Sequence, residues 1–440
     1  MSVDFDISFA PEILSEGTPE ECAAFGLFTI RTAQKYLTEG FDHFLGSSRV
    51  GPMVSAYHAA EWFIWNWWRL RWEPRRAGQE WELAHRMTSI GEGYTWPNIT
   101  MFSDGERTAL ISSPSTNPDA KPFRYFGAIS TIVASRVFET AIDDFVVQVL
   151  SRLETQGVEK SNLHHLWSDI LAERDDPAIA QRRKIEAMLG REPDEVEDDR
   201  IERLIGDAAQ LGERAVEEVA ADQEHAAAAE VPLMYAQEFQ AAANTYGFDA
   251  NTGDAARLLD APLPMPADVP AWRLGAMAAQ LLRKQESLGF DKISNIRLAG
   301  LAGTRHDVLA KVRKTNLPMS YTLLQDGQRS KVVLRSKWED GRRFDLARLI
   351  CDNVLNLEGR LHPATRAYTY RQKAQRSFAA EFLSPFHVVD DMLNGDYSLE
   401  AQQDVARHFS VSEMTINTLL KNHGRIERDD PEQYNEILAA

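Results

Sequence analysis

Two charged side chains one helical turn apart, Arg348 and Asp352, carry the clearest chemical signal in this 440-residue chain. On a helix, residues i and i+4 meet on one face, so these two are spaced for an ion pair. Asp345, three residues before Arg348, offers a second partner. Such a group cannot begin hydrolysis, because a guanidinium stays protonated and has no lone pair for a metal or a proton. The other candidate groups stand alone. His362 and His387 each lack a second ligand at metal-binding spacing. His58 and Glu61 share one helical turn in a Trp-rich run and read as a buried hydrogen-bonded pair. Asp42 and His43 have no nucleophile pattern beside them. The adjacent His164 and His165 point about 100° apart on a helix and are poorly placed to share a metal. The chain contains no His-Glu-x-x-His, no Gly-x-Ser-x-Gly, no phosphate-binding Gly-Lys-Ser/Thr and no Cys-x-x-Cys.

Length suggests about three domains. A composition of 44% hydrophobic and 26% charged residues is that of a chain able to bury sizeable cores. No apolar run reaches the ~18 residues needed to cross a bilayer. The acidic N-terminus lacks a signal-peptide pattern, and two cysteines, Cys22 and Cys351, argue against a disulfide framework, so a cytoplasmic protein is expected. A net charge of −18 argues against nonspecific nucleic-acid binding by the whole chain. The charge is uneven: residues 281–348 hold 15 Lys/Arg against 7 Asp/Glu, whereas 192–202 is densely acidic. Both read as solvated surface, with a basic groove as the sharper alternative.

Residues 1–155 read as one mainly helical domain of undefined role, with helices over 20–38, 54–72 and 129–153. Between them, Ile99–Ser103 and Glu106–Ile111 flank Asp104-Gly105, a type I′ hairpin signal. Seven of the ten tryptophans fall between Trp62 and Trp96. Rings on nearly every side of the 54–72 helix predict a packed aromatic core. Residues 156–262 read as a charged helical connector, and Ala-rich 213–230 as solvent-facing helix. Four prolines between Pro262 and Pro270 mark a boundary, because they exclude helix and central strand.

Past that boundary, Ala271–Leu288 has the apolar spacing of an amphipathic helix. Tyr321–Gln325 and Arg329–Arg335 flank Asp326-Gly327 as a second hairpin. Residues 399–424 read as helix, tight turn, helix. Ser410 and Glu413 are spaced as a capping box, Val405, Phe409, Val411, Ile416 and Leu420 form the small core, and Gly424 closes the second helix. Residues 426–440 read as a polar tail.

The lead Arg342-Arg343-Phe344 into the 342–352 helix is followed, about 30 residues on, by Phe378-Ala379-Ala380-Glu381, Leu383 and Pro385. With the Phe409-Ser410-Val411-Ser412 turn beyond, this order resembles the ImmA/IrrE metallopeptidase family across about residues 265–425. Members of that family cleave helix-turn-helix repressors with a zinc ion held by His-Glu-x-x-His and a later Glu. Aligned on this chain, the first His falls at Arg348, the Glu at Leu349, the second His at Asp352 and the later Glu near Gln372. The resemblance therefore implies a zincin-like helical domain with a small sheet but no zinc, no other cofactor and no general base. In that frame the strand Lys331, Val332, Val333, Leu334 and Arg335, leading to Phe344, borders a peptide groove and can still pair with a partner as an exposed edge.

The expected protein is thus α+β and mostly helical: a helical N-terminal domain with a hairpin, then a degenerate peptidase-like domain ending in a helix-turn-helix-like unit. The expected function is non-catalytic regulation by binding a protein of the repressor or antitoxin type. A peptidase with displaced ligands is one alternative. DNA binding through 399–424 is another, disfavoured because Ser412–Asn422 holds one Lys and one Glu with little else charged. A function located wholly in 1–155 is the third. No membrane partner is expected, and the sequence does not define an oligomeric state.

Overall fold

A computed structural model describes residues 5–33, 35–115, 122–222, 233–259, 263–313 and 316–426. The chain is α+β, with 49% helix and 18% strand, as the patterning implies. It divides into two compact units, Met1–Val196 and Glu197–Ala440. The division falls inside the stretch read as a connector: the helices Asn162–Asp175 and Pro177–Met188 belong to the first unit, and Asp198–Leu211, Glu213–Ala221 and Ala236–Tyr246 to the second. Pro262 and the tail from 427 onward lie outside the described residues.

The first unit holds more strand than its sequence suggests. Residues 20–38 are not one helix. A short turn of helix, Pro19–Ala23, capped by the Thr18 hydroxyl, gives way to the strand Phe25–Thr32. That strand alternates half-buried and buried residues and pairs antiparallel with Phe5–Pro11. Residues 129–134 are also strand, completing a sheet with the Ile99–Ser103 and Arg107–Ser112 hairpin before the long helix Ser135–Thr155 begins. The hairpin turn is not type I′. Gly105 takes a positive φ of 100° while Asp104 does not. The Asp104 carboxylate instead accepts the backbone N–H groups of Glu106 and Arg107 at 3.2 and 2.8 Å, an Asx turn. The tryptophan-rich helix breaks at Asn66 into Ala56–Trp65 and Trp67–Trp72. Its rings pack as expected, except that Trp65 is 63% exposed. Phe145 anchors the core, edge-on to Phe28 at 5.7 Å and to Phe63 at 6.0 Å.

The second unit is built on a five-stranded antiparallel sheet in the order Ala302–Thr304, Phe248–Ala255, Arg329–Val333, Ser320–Leu324, Leu361–Ala364. The helix Glu339–Val354 packs on this sheet and against Tyr370–Leu383. Ala271–Gln285 in turn lies on Tyr370–Leu383 with little space between the backbones. A Cβ at Gly275 would sit 2.2 Å from the Ala374 carbonyl oxygen, so only glycine allows that approach. Leu399–Phe409 and Glu413–Asn422 cross over Val405, Phe409, Val411, Ile416 and Leu420, all buried. The cap of the second helix is Ser412, whose hydroxyl accepts from the Thr415 N–H at 3.2 Å. Ser410 instead ends the first helix in the left-handed region, φ 51°. The capping-box reading of Ser410 and Glu413 is therefore corrected. Gly424, with φ 66°, follows the second helix as expected.

Candidate functional site

The Glu339–Val354 helix faces Tyr370–Leu383, and this brings Arg348 and Gln372 together. The Arg348 Nη2 donates to the Gln372 Oε1 at 2.6 Å and to the Thr365 carbonyl at 2.5 Å. Gln372 is fully engaged: its Oε1 also accepts the Thr365 N–H at 2.9 Å, and its Nε2 donates to the Pro363 carbonyl at 3.1 Å. Arg348 is 6% exposed and Gln372 0%. Leu349 is buried in the apolar cluster of the unit.

Asp352 does not pair with Arg348. Its carboxylate accepts from Arg371 Nη2 at 2.5 Å and from Gln375 Nε2 at 2.8 Å, and His362 Nδ1 stands 3.4 Å away, in ion-pair range but long for a hydrogen bond. Burial alone would raise its pKa, but Arg371 and His362 outweigh that and hold it below the usual carboxylate range. The nearest carboxylate to Arg348 on its own helix is Asp345, at 4.0 Å. Asp345 mainly accepts the Ser320 hydroxyl at 2.6 Å. Burial pushes the Cys351 thiol well up, so it is inert.

These residues do not fit zinc. Arg348 is a buried cation, and the Gln372 amide oxygen is already taken by two N–H donors. Among the described residues, no three His, Cys, Asp or Glu side chains are placed to share a metal ion.

The peptide groove expected along Lys331–Arg335 is corrected by the sheet order. Arg329–Val333 lies between Phe248–Ala255 and Ser320–Leu324, so its backbone is paired on both sides and offers no free edge. Val332, Val333 and Leu334 are core residues, and the Lys331 ammonium bonds Asp249 at 2.7 Å. Phe248–Ala255 was invisible in the sequence because Asp, Asn, Thr and Gly dominate it.

The sheet edge nearest the Arg348–Gln372 contact is Leu361–Ala364, and the chain covers it itself. The Arg360 N–H, just before that strand, donates to the Leu211 carbonyl at 2.8 Å, and the Arg366 N–H, just after it, donates to Asp222 Oδ1 at 2.6 Å. Between Leu211 and Asp222 runs the helix Glu213–Ala221, where Glu218 accepts the Thr369 hydroxyl at 2.7 Å. Ala215 to Asp222 are thus buried rather than solvent-facing, Glu213 and Arg214 are exposed, and 223–230 lie outside the described residues. Burial raises Glu218 to about 7 and Asp222 to about 6, against the opposing pull of Arg371 on the first and of the Arg366 N–H on the second.

The residues from Phe378 to Pro385 pack the core and fix a turn. Phe378 stacks on Phe382 at 5.1 Å, and Ala379 and Leu383 are fully buried. Glu381 accepts from Gln280 at 3.0 Å and from the Phe386 N–H at 3.2 Å, which fixes the turn at Pro385. Phe344 and Ala380, with Arg335, line a cavity of about 390 Å³ walled by Glu339–Val354, Tyr370–Leu383 and Glu413–Asn422.

In the first unit, His58 and Glu61 are half-buried at the rim of a 240 Å³ surface pocket, not a buried pair, and Glu61 accepts from Asn162 at 2.9 Å. Asp42 caps its own turn through the Phe44 and Leu45 N–H groups. Sequence reasoning missed the buried Glu73, which accepts from Arg69 at 2.6 Å and faces His85 at 3.0 Å. His387 stands edge-on to Phe290 at 4.4 Å. Cys22 and Cys351 are both free thiols, and no helix among the described residues is long and apolar enough to cross a membrane.

Compared with protein-family models, curated proteins and solved structures, the chain found no match in any of the three.

Proposed function

We propose that this chain is a non-catalytic regulator whose second unit binds a protein partner, of the helix-turn-helix repressor or antitoxin type implied by the resemblance to ImmA/IrrE peptidases. That resemblance rests on the residues themselves. The observation that carries the proposal is the Arg348–Gln372 contact: a guanidinium holds the position where a dication would be ligated. A cation placed there repels a metal and cannot take a proton from water. Leu349, at the position that the resemblance gives to the general base, is aliphatic and cannot take a proton.

Partner binding needs a surface other than the Lys331–Arg335 strand. The cavity between the three helices is the concave, largely apolar feature of this unit that suits it. One face of Glu413–Asn422 contributes Met414, Thr415, Thr418 and Asn422 to that cavity, which favours a protein or peptide ligand over a DNA groove. Purified chain mixed with a candidate repressor is expected to co-elute with it while both masses stay unchanged. Cleavage of the repressor that stops on adding EDTA would overturn the proposal.

A further inference from the structure

Trp65 is the exposed ring of a helix that is otherwise mostly buried, and it stands at the mouth of a pocket in the first unit. On that helix, Ala56–Trp65, the residues His58, Glu61, Trp62 and Trp65 fall at i, i+3, i+4 and i+7, so they share one face. That face lines the 240 Å³ pocket together with Glu92, from the loop after Ser89, and Asn162, at the start of the helix Asn162–Asp175. The two indoles are placed differently. Trp62 is 8% exposed and donates its ring N–H to the Ser89 hydroxyl at 3.1 Å, whereas Trp65 is 63% exposed.

The charges around the pocket are of one sign. Glu61 and Glu92 line it, no lysine or arginine does, and neither carboxylate is ion-paired among the described residues. Glu61 accepts the Asn162 amide at 2.9 Å and lies beside the Tyr57 hydroxyl, and both of these donors are neutral. Glu92 is exposed. The face of an indole is itself electron-rich, so ring and carboxylates favour the same kind of ligand.

We propose that this pocket binds an alkylammonium group, with the Trp65 ring covering its alkyl part and Glu61 and Glu92 taking up its charge. Of the aromatic side chains, indole attracts a cation over its face most strongly. The carboxylates add Coulomb attraction, which water and salt screen less at a half-buried position than on open surface. A neutral ligand gains neither. The volume is below the range of about 300–1,000 Å³ typical of drug-sized ligands, so the pocket suits one head group or one side chain. Two sources carry this chemistry: a free amine, or the lysine side chain of a protein. The site lies wholly within the first unit and is independent of the function proposed for the second.

The test uses fluorine NMR of the full-length chain labelled with fluorotryptophan, with the Trp65 resonance identified as the one missing from Trp65→Phe. The probes are butylammonium, butanol, and a glycine peptide blocked at both ends that carries one central lysine or, in its place, norleucine. Each ammonium is expected to shift the Trp65 resonance saturably and to bind at least about tenfold more tightly than its neutral counterpart. Glu92→Gln removes a charge at an exposed position where folding is undisturbed, and Glu61→Gln keeps an acceptor for Asn162. Each is expected to weaken both ammonium probes by about threefold. A lysine peptide that binds more tightly than butylammonium assigns the site to a protein side chain; equal or weaker binding assigns it to a free amine. Ammonium and neutral probes binding alike, no saturable shift from either ammonium, or full affinity in either glutamine variant would overturn the proposal.

Discussion

Arg348 and Gln372, 24 positions apart in sequence, meet through a 2.6 Å hydrogen bond in the interior of the second unit. The guanidinium satisfies both the Gln372 amide and the Thr365 carbonyl, so it closes a polar network rather than standing as an isolated charge. Removing it in Arg348→Ala leaves those acceptors buried and under-satisfied, and a cost of about 3 kcal/mol is expected. Arg348→Lys keeps a cation, but its more strongly hydrated ammonium must replace the single Nη2 that serves both acceptors, and it should recover only part. Urea denaturation reads both; an unchanged midpoint in Arg348→Ala would contradict this role.

Stability should fall as pH rises through neutrality. Glu218 and Asp222 have folded pKa values raised by burial, to about 7 and about 6. A raised carboxylate favours the folded state at low pH, and that contribution is lost as pH climbs through the folded value. For Glu218 the shift from 4.5 corresponds to about 3 kcal/mol. Asp352 works in the opposite sense: its lowered pKa adds stability that disappears only in strong acid. The urea midpoint should therefore peak near pH 4 and decline to about pH 7, and Glu218→Gln should flatten much of that decline. A midpoint rising over the same interval would rule the assignment out.

Asp352 answers a buried cation, so neutralising it should be severe. Asp352→Asn leaves Arg371 in the interior without a full counter-charge, at an expected cost of about 3–5 kcal/mol. The double variant with Arg371→Gln should lose less than the sum of the two single changes, because the pair is in direct contact at 2.5 Å. Strict additivity would mean the two do not interact.

How much of this was legible in the sequence depends on how local the determinants are. The hairpins at Asp104-Gly105 and Asp326-Gly327 could be read because a turn is specified by its own residues. Phe25–Thr32 could not: its apolar residues fit a helix as well as a strand, and the choice is made by pairing with Phe5–Pro11, which no local pattern reveals. The interior position of Arg329–Val333 was hidden for the same reason, since its partner Phe248–Ala255 carries no strand signature. The helix Glu213–Ala221 looked solvated because the stretch is Ala-rich within a charged segment, yet the second unit supplies Arg371 and a backbone N–H as partners, which lets carboxylates enter the interior. The positions Arg348, Leu349, Asp352 and Gln372 were singled out by the resemblance to ImmA/IrrE peptidases, and the structure brings Arg348 and Gln372 into direct contact. The expected Arg348–Asp352 pair failed because Arg371, a residue that spacing on one helix cannot reveal, reaches Asp352 first.

The first unit has its own buried charge centre. Glu73 is 1% exposed, and its pKa is held low despite burial by His85 and Arg69. Glu73→Gln should destabilise this unit by a few kcal/mol. Trp81 stacks on His85 at 4.3 Å, so indole fluorescence should report the change. Identical fluorescence-detected unfolding in wild type and variant would contradict the assignment.

Metal content measured by mass spectrometry tests the central claim most directly. After incubation with excess zinc and removal of unbound ion, the chain should retain only traces, and Arg348→Ala should not restore binding. Stoichiometric zinc in the wild-type protein, removed by EDTA, would contradict the proposal that this unit is non-catalytic.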